Sequence, residues 1–404
     1  MDFRPRTSPS REVAITGLGA VTAFGLGVEC LWRALLLGES ALAPVTLFDP
    51  SRYQARCAAE VPLVPPDPQG VVLERGHRLA LAAGAEALGP VSATFGGPRA
   101  GVVLGTSLGG NRLWTSWLSR NGHGGERPKD ELQQSSISSA TRLLALRTGA
   151  RGPALTLSVA CASGTAAIGV GAELIRRGEA DQVLAGGYDA LSEFVFAGFD
   201  SLRALSTTTV RPFDHRRDGL GLGEGAGFVL LEELEGARRR GGSILALVRG
   251  YSSASDAHHM TRPSPVGEGL VHALEAALGK AGVGADAIGF VSAHGTATPY
   301  NDRMEAAGLR RVFGERIASV PTNSIKGALG HTLGAAGALE AVMTTLVLRH
   351  GLIPPTANLV EIDPAFEMDV VAGSSRILAA PLSFAASTSS AFAGTNAALV
   401  LERA

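Results

Sequence analysis

Two hydrophobic rhythms alternate along this chain. Short, largely apolar runs lie at 13–18 (VAITGL), 100–105 (AGVVLG), 154–159, 182–185, 228–233 (FVLLEE), 244–251, 288–292 and 397–401, and each predicts a buried strand. Between them apolar residues recur at helical spacing, through CLWRALLLGE, 75–88, 135–146, 165–177, 269–281 and the Gly/Ala-rich stretch ending in LVLRHG. These predict helices with one buried face. Three internal sections carry neither rhythm. Residues 41–70, with prolines at 44, 50, 62, 65, 66 and 68, predict a loop-rich excursion. Residues 111–134 are polar and are expected to wrap the surface or a partner, and LRALSTTTVRPFDHRRDGLGLGEGAG is expected to be loop-rich. Residues 1–11 read as a short flexible lead.

The alternation is that of an α/β protein, and it runs through twice. Residues 154–185 read strand, small-residue turn, apolar helix, strand; residues 319–351 read strand, tight turn, Gly/Ala-rich helix. GEGAGFVLLEE and AGTNAALVLER each feed a Gly-rich turn into a buried strand. Two halves, 1–243 and 244–404, are therefore expected, forming a duplicated fold that buries helices between two sheets.

The first of these units points to its own chemistry. Cys161 follows the strand, and Ala162, Ser163 and Gly164 leave room around it before the helix begins. Unpaired N–H groups and the dipole at a helix N-terminus favour an anion, so a thiol there is expected to ionise more easily and act as a nucleophile. The second half adds His294 in SAHGTATP and His331 in IKGALGHTLGAAG, with Lys326 shortly before it. All stand on turns after strands, and strand ends in α/β folds converge on a crevice. Imidazoles there can polarise a carbonyl or move a proton near neutral pH, while a thiolate can carry an acyl group.

Composition narrows the classes. Hydrophobic residues make up 45% and charged residues 18% of 404, with 52 glycines, which suits a large, closely packed core rather than disorder. The formal net charge of -1 argues against a general nucleic-acid or membrane-surface binder. The three cysteines, Cys30, Cys57 and Cys161, have no disulfide or zinc spacing, and Cys30 and Cys57 are expected to be small buried hydrophobes. With no apolar run long enough to span a bilayer and no signal-peptide core, a cytoplasmic protein is expected. GEGAG lacks a following GK[ST], so nucleotide binding is not expected there.

Taken together, VACASG, AHGTATPYND, SIKGALGHTLGAAGALE, RPFDHRRDGLGLGEGAG and AFAGTN resemble the motifs of the β-ketoacyl-[acyl carrier protein] synthases, the condensing enzymes of the thiolase fold. The likeness covers nearly the whole chain. It implies a five-layer αβαβα architecture with two mixed β-sheets and a decarboxylative Claisen condensation, in fatty-acid or polyketide chain elongation. On this resemblance Cys161 takes an acyl chain from a carrier's phosphopantetheine thioester, and His294 and His331 hold the enolate oxygen formed when the malonyl thioester loses carbon dioxide. Backbone N–H groups of Cys161 and Phe392 receive the acyl oxygen. Lys326 orients the histidine site electrostatically, with Glu340 behind it. Thr296, Thr298 and Thr261 match positions that bind the pantetheine arm, Phe392 an aromatic gate, and Leu108 its neighbour on the acyl pocket.

No metal or nucleotide cofactor is implied. The implied partners are an acidic acyl carrier protein and a second subunit, either an identical copy or a chain-length partner. Arg203, and Arg75 and Arg78 on the helix after the proline-rich loop, are candidates for charge at the pocket mouth. The plainer readings stand beside these: a structural thiol, core histidines, a turn-capping lysine, threonines that merely end strands, a packed phenylalanine and solvated arginines. His258 and His259 have no matched role and are expected to be solvated. Two rivals remain, a ketosynthase of a dedicated type II polyketide or polyene system needing a partner, and a non-catalytic chain-length partner; the intact Cys161, His294 and His331 argue against the latter. The chain departs from the family around the gate, where Ala391-Phe392-Ala393-Gly394 stands in place of Gly-Phe-Gly-Gly. Alanine reaches fewer backbone angles than glycine, so a gate that moves less, or along a different path, is expected.

Overall fold

The computed structural model describes residues 11–121 and 129–404. Its core strands are β1 Val13–Thr22, β2 Ala100–Gly105, β3 Ala154–Leu157, β4 Gln182–Asp189 and β5 Gly225–Glu233, then β6 Ala246–Ser255, β7 Ile288–Ser292, β8 Thr322–Asn323, β9 Phe384–Ser390 and β10 Thr395–Arg403. From its outer edge inward the first half runs β3-β2-β4-β5-β1, and the second runs β8-β7-β9-β10-β6. The pairing senses match as well: the outer three strands of each half are parallel and the inner pairs antiparallel. Equal order and equal sense make the two mixed sheets a duplication. They meet where β1 and β6 pair only at Ala14↔Leu247 and Ile15↔Ala246.

Helices Ser163–Arg176 and Ala336–His350 lie between the sheets and pack on strands of both. The second is buried on every face from Ala336 to Leu348, as a helix enclosed by protein must be. Outside them, Arg75–Leu88 covers β1, β4 and β5, and Glu268–Ala281 covers β6 and β10, completing five layers. The predicted strands and helices thus form, with shifted ends. No helix among the described residues is long and apolar enough to cross a membrane.

Several expectations need correction. The polar section 111–134 is helical over Asn111–Asn121 and Lys129–Gln134, and the part at 122–128 lies outside the described residues. Trp114 and Trp117, three apart on the first of these helices, stack with ring centroids 5.8 Å apart, an aromatic pair set among polar neighbours that gave no apolar rhythm to read. Helix Pro299–Phe313 follows directly on the His294 turn, capped by the Thr298 hydroxyl, which accepts the Asn301 N–H at 3.3 Å. Strand β9 (FAASTSS) and helix Glu193–Ser201 also lie outside any predicted element. Cys57 is exposed and Cys30 half-buried, so neither is the core residue expected; the strand Cys57–Ala59 belongs to a small peripheral sheet.

Candidate active site

The chain leaves β3, turns through Ala160 at φ 47°, and enters helix Ser163–Arg176 with Cys161 just before its first turn. The Ser163 hydroxyl fastens this turn, donating to the Ala160 carbonyl at 2.6 Å and accepting the Val159 N–H at 2.9 Å. The Phe392 N–H is aimed at the Cys161 sulfur. Contrary to the expectation of an easily ionised thiol, burial pushes Cys161 up to about 12, although the Lys326 ammonium and the backbone N–H groups of Cys161 and Phe392 act in the other direction. Removal from water disfavours the charged form by more than these nearby groups favour it. The resting group is a neutral thiol.

His294 and His331 face each other edge to face, with ring centroids 5.2 Å apart. Burial, and then the Lys326 ammonium, hold both imidazoles well below the ordinary histidine range, so both are neutral near pH 7. Lys326 is itself buried; its ammonium pairs with Glu340, donates to the His294 carbonyl at 2.5 Å and lies 3.3 Å from His294 Nδ1. An ammonium can only donate, which assigns Nδ1 as acceptor and leaves the proton of His294 on Nε2. From Glu340 the chain of polar groups continues through Ser389 to Thr165, on the helix that follows Cys161.

Two carboxylates that the sequence reading missed hold the His294 turn. Glu305 accepts the N–H groups of His294 at 2.6 Å and Gly295 at 2.7 Å, and Asp302 accepts those of Ala297 at 3.2 Å and Phe213 at 2.8 Å. Burial raises both, Asp302 to about 6, against those same donors. Their signal was available: two acids three apart on one helical face, one turn after AHGTATP.

Cys161, His294, His331, Thr296, Thr298, Thr261, Arg203 and Phe392 all line one cavity of about 510 Å³. Glu340 stands behind Lys326, and neither lines the cavity. Leu108 also stands back from it, half-buried against the apolar cluster that contains Leu333, while its N–H donates to Asp189 at 2.9 Å. Phe392 is 37% exposed, with its ring on that of Phe199 at 5.4 Å. Arg203 is exposed at the cavity, but Arg75 is not free to meet a partner: it makes a bidentate ion pair with the buried Glu224 and donates to the Val61 carbonyl. Arg78 donates to the Val64 carbonyl at 3.3 Å. His258 and His259 are exposed, although His259 Nδ1 accepts the N–H of Thr261 at 3.1 Å.

Five of the eight non-glycine residues with positive φ among the described residues belong to this site. Ala160 precedes Cys161, Ala297 separates Thr296 from Thr298, Leu333 follows the His331 turn, Ala393 follows Phe392, and Arg203 lines the cavity itself. Such conformations cost about 1 kcal/mol or more each and persist where surrounding structure enforces them. A buried thiol, two neutral imidazoles with N–H groups to offer and a backbone N–H at the sulfur can together exchange thioesters and stabilise charge forming on a carbonyl oxygen.

That is the equipment of a thiol-dependent condensing enzyme, and likeness to known proteins gives its family. Residues 10–237 match the model of the beta-ketoacyl synthase N-terminal domain, and residues 245–360 match that of its C-terminal domain. The chain is 37% identical to the tetracenomycin polyketide synthase ketoacyl synthase alpha subunit of Streptomyces glaucescens, across 97% of each chain. It is 35% identical to 3-oxoacyl-[acyl-carrier-protein] synthase 2 of Coxiella burnetii, covering 97% of this chain and 99% of the other. Among solved structures, the ishigamide ketosynthase/chain length factor superposes with a TM-score of 0.91 at 35% identity, over 98% of this chain and 100% of that one. The chain belongs to the beta-ketoacyl synthase family and is a condensing ketosynthase.

Proposed function

We propose that this ketosynthase is the catalytic subunit of a dedicated type II polyketide or polyene system, elongating a carrier-bound chain beside a chain-length partner in the cytoplasm. The observation that carries its catalytic role is the meeting of Cys161, His294 and His331 around one cavity. The dedicated pathway is favoured by the likeness to a polyketide ketoacyl synthase and to a ketosynthase/chain length factor structure. The retained Cys161, His294 and His331 speak for the catalytic rather than the chain-length subunit.

In the first half-reaction the Cys161 sulfur attacks the acyl-pantetheine carbonyl, the S–H proton goes to the departing pantetheine thiolate, and the acyl group becomes a cysteine thioester. The N–H groups of Cys161 and Phe392 receive the oxyanion. In the second, the malonyl C–C bond to the carboxylate breaks, releasing carbon dioxide and leaving an enolate. Nε2–H of His294 and the ring N–H of His331 hold its oxygen, the step in which donors aimed at developing charge are worth most. The enolate carbon then attacks the acyl-cysteine, and the thiolate leaves and takes up one proton from solvent. Atoms balance: one carbon dioxide and one free carrier thiol are released for each two-carbon extension.

Lys326, paired with Glu340, fixes the His294 tautomer. Thr296, Thr298 and Thr261 bind the pantetheine arm, Arg203 meets an acidic carrier, and Leu108 backs the acyl pocket. On this reading the nucleophile belongs to 1–243 and the imidazoles to 244–404. Intact-mass spectrometry after incubation with a panel of acyl-carrier proteins tests it, with and without a candidate chain-length partner. An acyl adduct on the wild type and none on Cys161→Ala is expected, with elongation only when the partner is present. A wild-type adduct with full elongation by the chain alone would replace the partnered reading with a homodimeric fatty-acid enzyme.

A further inference from the structure

Asp189 ends β4 completely buried, and no step of the proposed reaction uses it. Its Oδ1 accepts the Thr106 hydroxyl at 2.5 Å and the Leu108 N–H at 2.9 Å; its Oδ2 accepts the N–H groups of Ser107 at 2.9 Å and Gly334 at 2.7 Å. Three of these donors belong to the turn after β2. The fourth lies on the turn between His331 and helix Ala336–His350, directly after Leu333 with its φ of 54°.

Gly334 is wedged at this point. A Cβ on it would stand 2.7 Å from Asp189 Oδ2 and 2.7 Å from Thr106 Cα, and its carbonyl would stand 2.7 Å from a Cβ on Gly164 and 2.2 Å from one on Gly187. The His331 turn therefore touches the helix that follows Cys161, the strand β4 and the Thr106–Leu108 turn at one place. A carboxylate has acceptor capacity for all four donors there; a carboxamide has one oxygen and would turn N–H groups toward N–H groups.

We infer that Asp189 is a positioning residue for His331: its bond to the Gly334 N–H maintains the left-handed turn at Leu333 and so sets where the imidazole stands relative to Cys161. The inference rests on the reading that His331 serves the malonyl half-reaction. Loosening the turn misplaces a group needed for decarboxylation while leaving Cys161 and its own N–H donors in place.

The test separates the half-reactions with small thioesters: acylation of Cys161 by an acyl-pantetheine, followed by intact mass, and release of carbon dioxide from malonyl-pantetheine. Asp189→Asn is expected to lower decarboxylation ~100-fold, the scale of a misplacement of about 1 Å, while acylation is not lowered, because the Asp189 charge is one of the influences that disfavour the Cys161 thiolate. Thr106→Val, which removes a donor only on the acyl side of the same carboxylate, is expected to retain both half-reactions even if its melting temperature falls. Should Asp189→Asn not fold, Gly334→Ala breaks the same contact from the other side and is expected to show the same selective loss. Retained decarboxylation in the folded variant, or equal loss of both half-reactions, overturns the inference. His331→Ala tells the two failures apart: if it keeps decarboxylation, the reading of His331 falls and takes this inference with it. If it loses decarboxylation while Asp189→Asn keeps it, only the inference falls.

Discussion

The two turns that open the central helices occupy equivalent places and have been given different work. Each follows the outermost strand of its half, β3 or β8, and each passes through a left-handed non-glycine residue, Ala160 or Leu333, before or within the approach to its helix. Only the first carries a thiol; only the second carries an imidazole, with a lysine ahead of it. Duplication supplied two copies of one scaffold facing one cavity, and divergence of the side chains on the turns made the copies complementary. In both, burial removes charge: the thiol keeps its proton and the imidazole declines one. A site built this way is neutral at rest, and its fixed N–H groups wait for charge that arrives only during reaction.

The largest effect that would break this comparison is at the nucleophile itself. Cys161→Ala is expected to abolish the acyl adduct altogether with an unchanged melting temperature, because a buried thiol and a methyl group differ little in packing; an adduct elsewhere on the chain, read by peptide mapping, would refute the assignment. Next in size, His331→Ala or His294→Ala is expected to lower condensation ~10²–10³-fold while Cys161 is still acylated, since each removes one donor to the enolate oxygen. Loss of acylation as well would mean that the two turns do not divide the labour.

Lys326→Met sharpens the electrostatic half of the comparison. The Lys326 charge helps hold His294 below the ordinary histidine range, so removing it raises the imidazole's pKa. Burial still holds it down in the variant, but His294 is expected to take up its proton at a higher pH than in the wild type, read by NMR titration of the ring; an unmoved titration would show that Lys326 does not act on His294. Cys161 gives the matching test on the other turn. With its thiol at about 12, alkylation by iodoacetamide should climb ~10-fold per pH unit between about pH 7 and 9 without a plateau, whereas a plateau in that interval would show the helix terminus winning over burial. The smallest effect is at the gate. Ala393 is held at φ 64°, where glycine is unstrained, so Ala393→Gly is expected to change stability by only about 1 kcal/mol or less, in the stabilising direction, and to increase the mobility of Phe392, read by comparing free and acylated crystal structures.

Much of the fold was legible because its elements are local. Residues 75–88 and 100–105 read as helix and strand from apolar spacing alone, and the repeated strand–turn–helix units around Cys161 and His331 announced the duplication. What escaped did so for physical reasons. Strand β9 is FAASTSS, a small-residue and polar run whose burial comes from its place between β7 and β10. The helix Pro299–Phe313 begins on Thr298-Pro299, a cap hidden inside a stretch read for its chemistry. Arg75 looked like free surface charge until Glu224, far along the chain, proved to be buried against it.

The order of side chains determined which reactive groups this protein owns and that each sits on a tight turn beside a strand or helix, because turn chemistry and hydrophobic period are properties of neighbouring residues. Tertiary structure alone decided their charge and their mutual placement. A thiol before a helix N-terminus reads as acidic until burial is known, and Asp189, Glu305 and Glu340 acquire meaning only where distant turns are packed against them. Desolvation and long-range hydrogen bonding depend on what the folded chain brings near, and no stretch of sequence contains that.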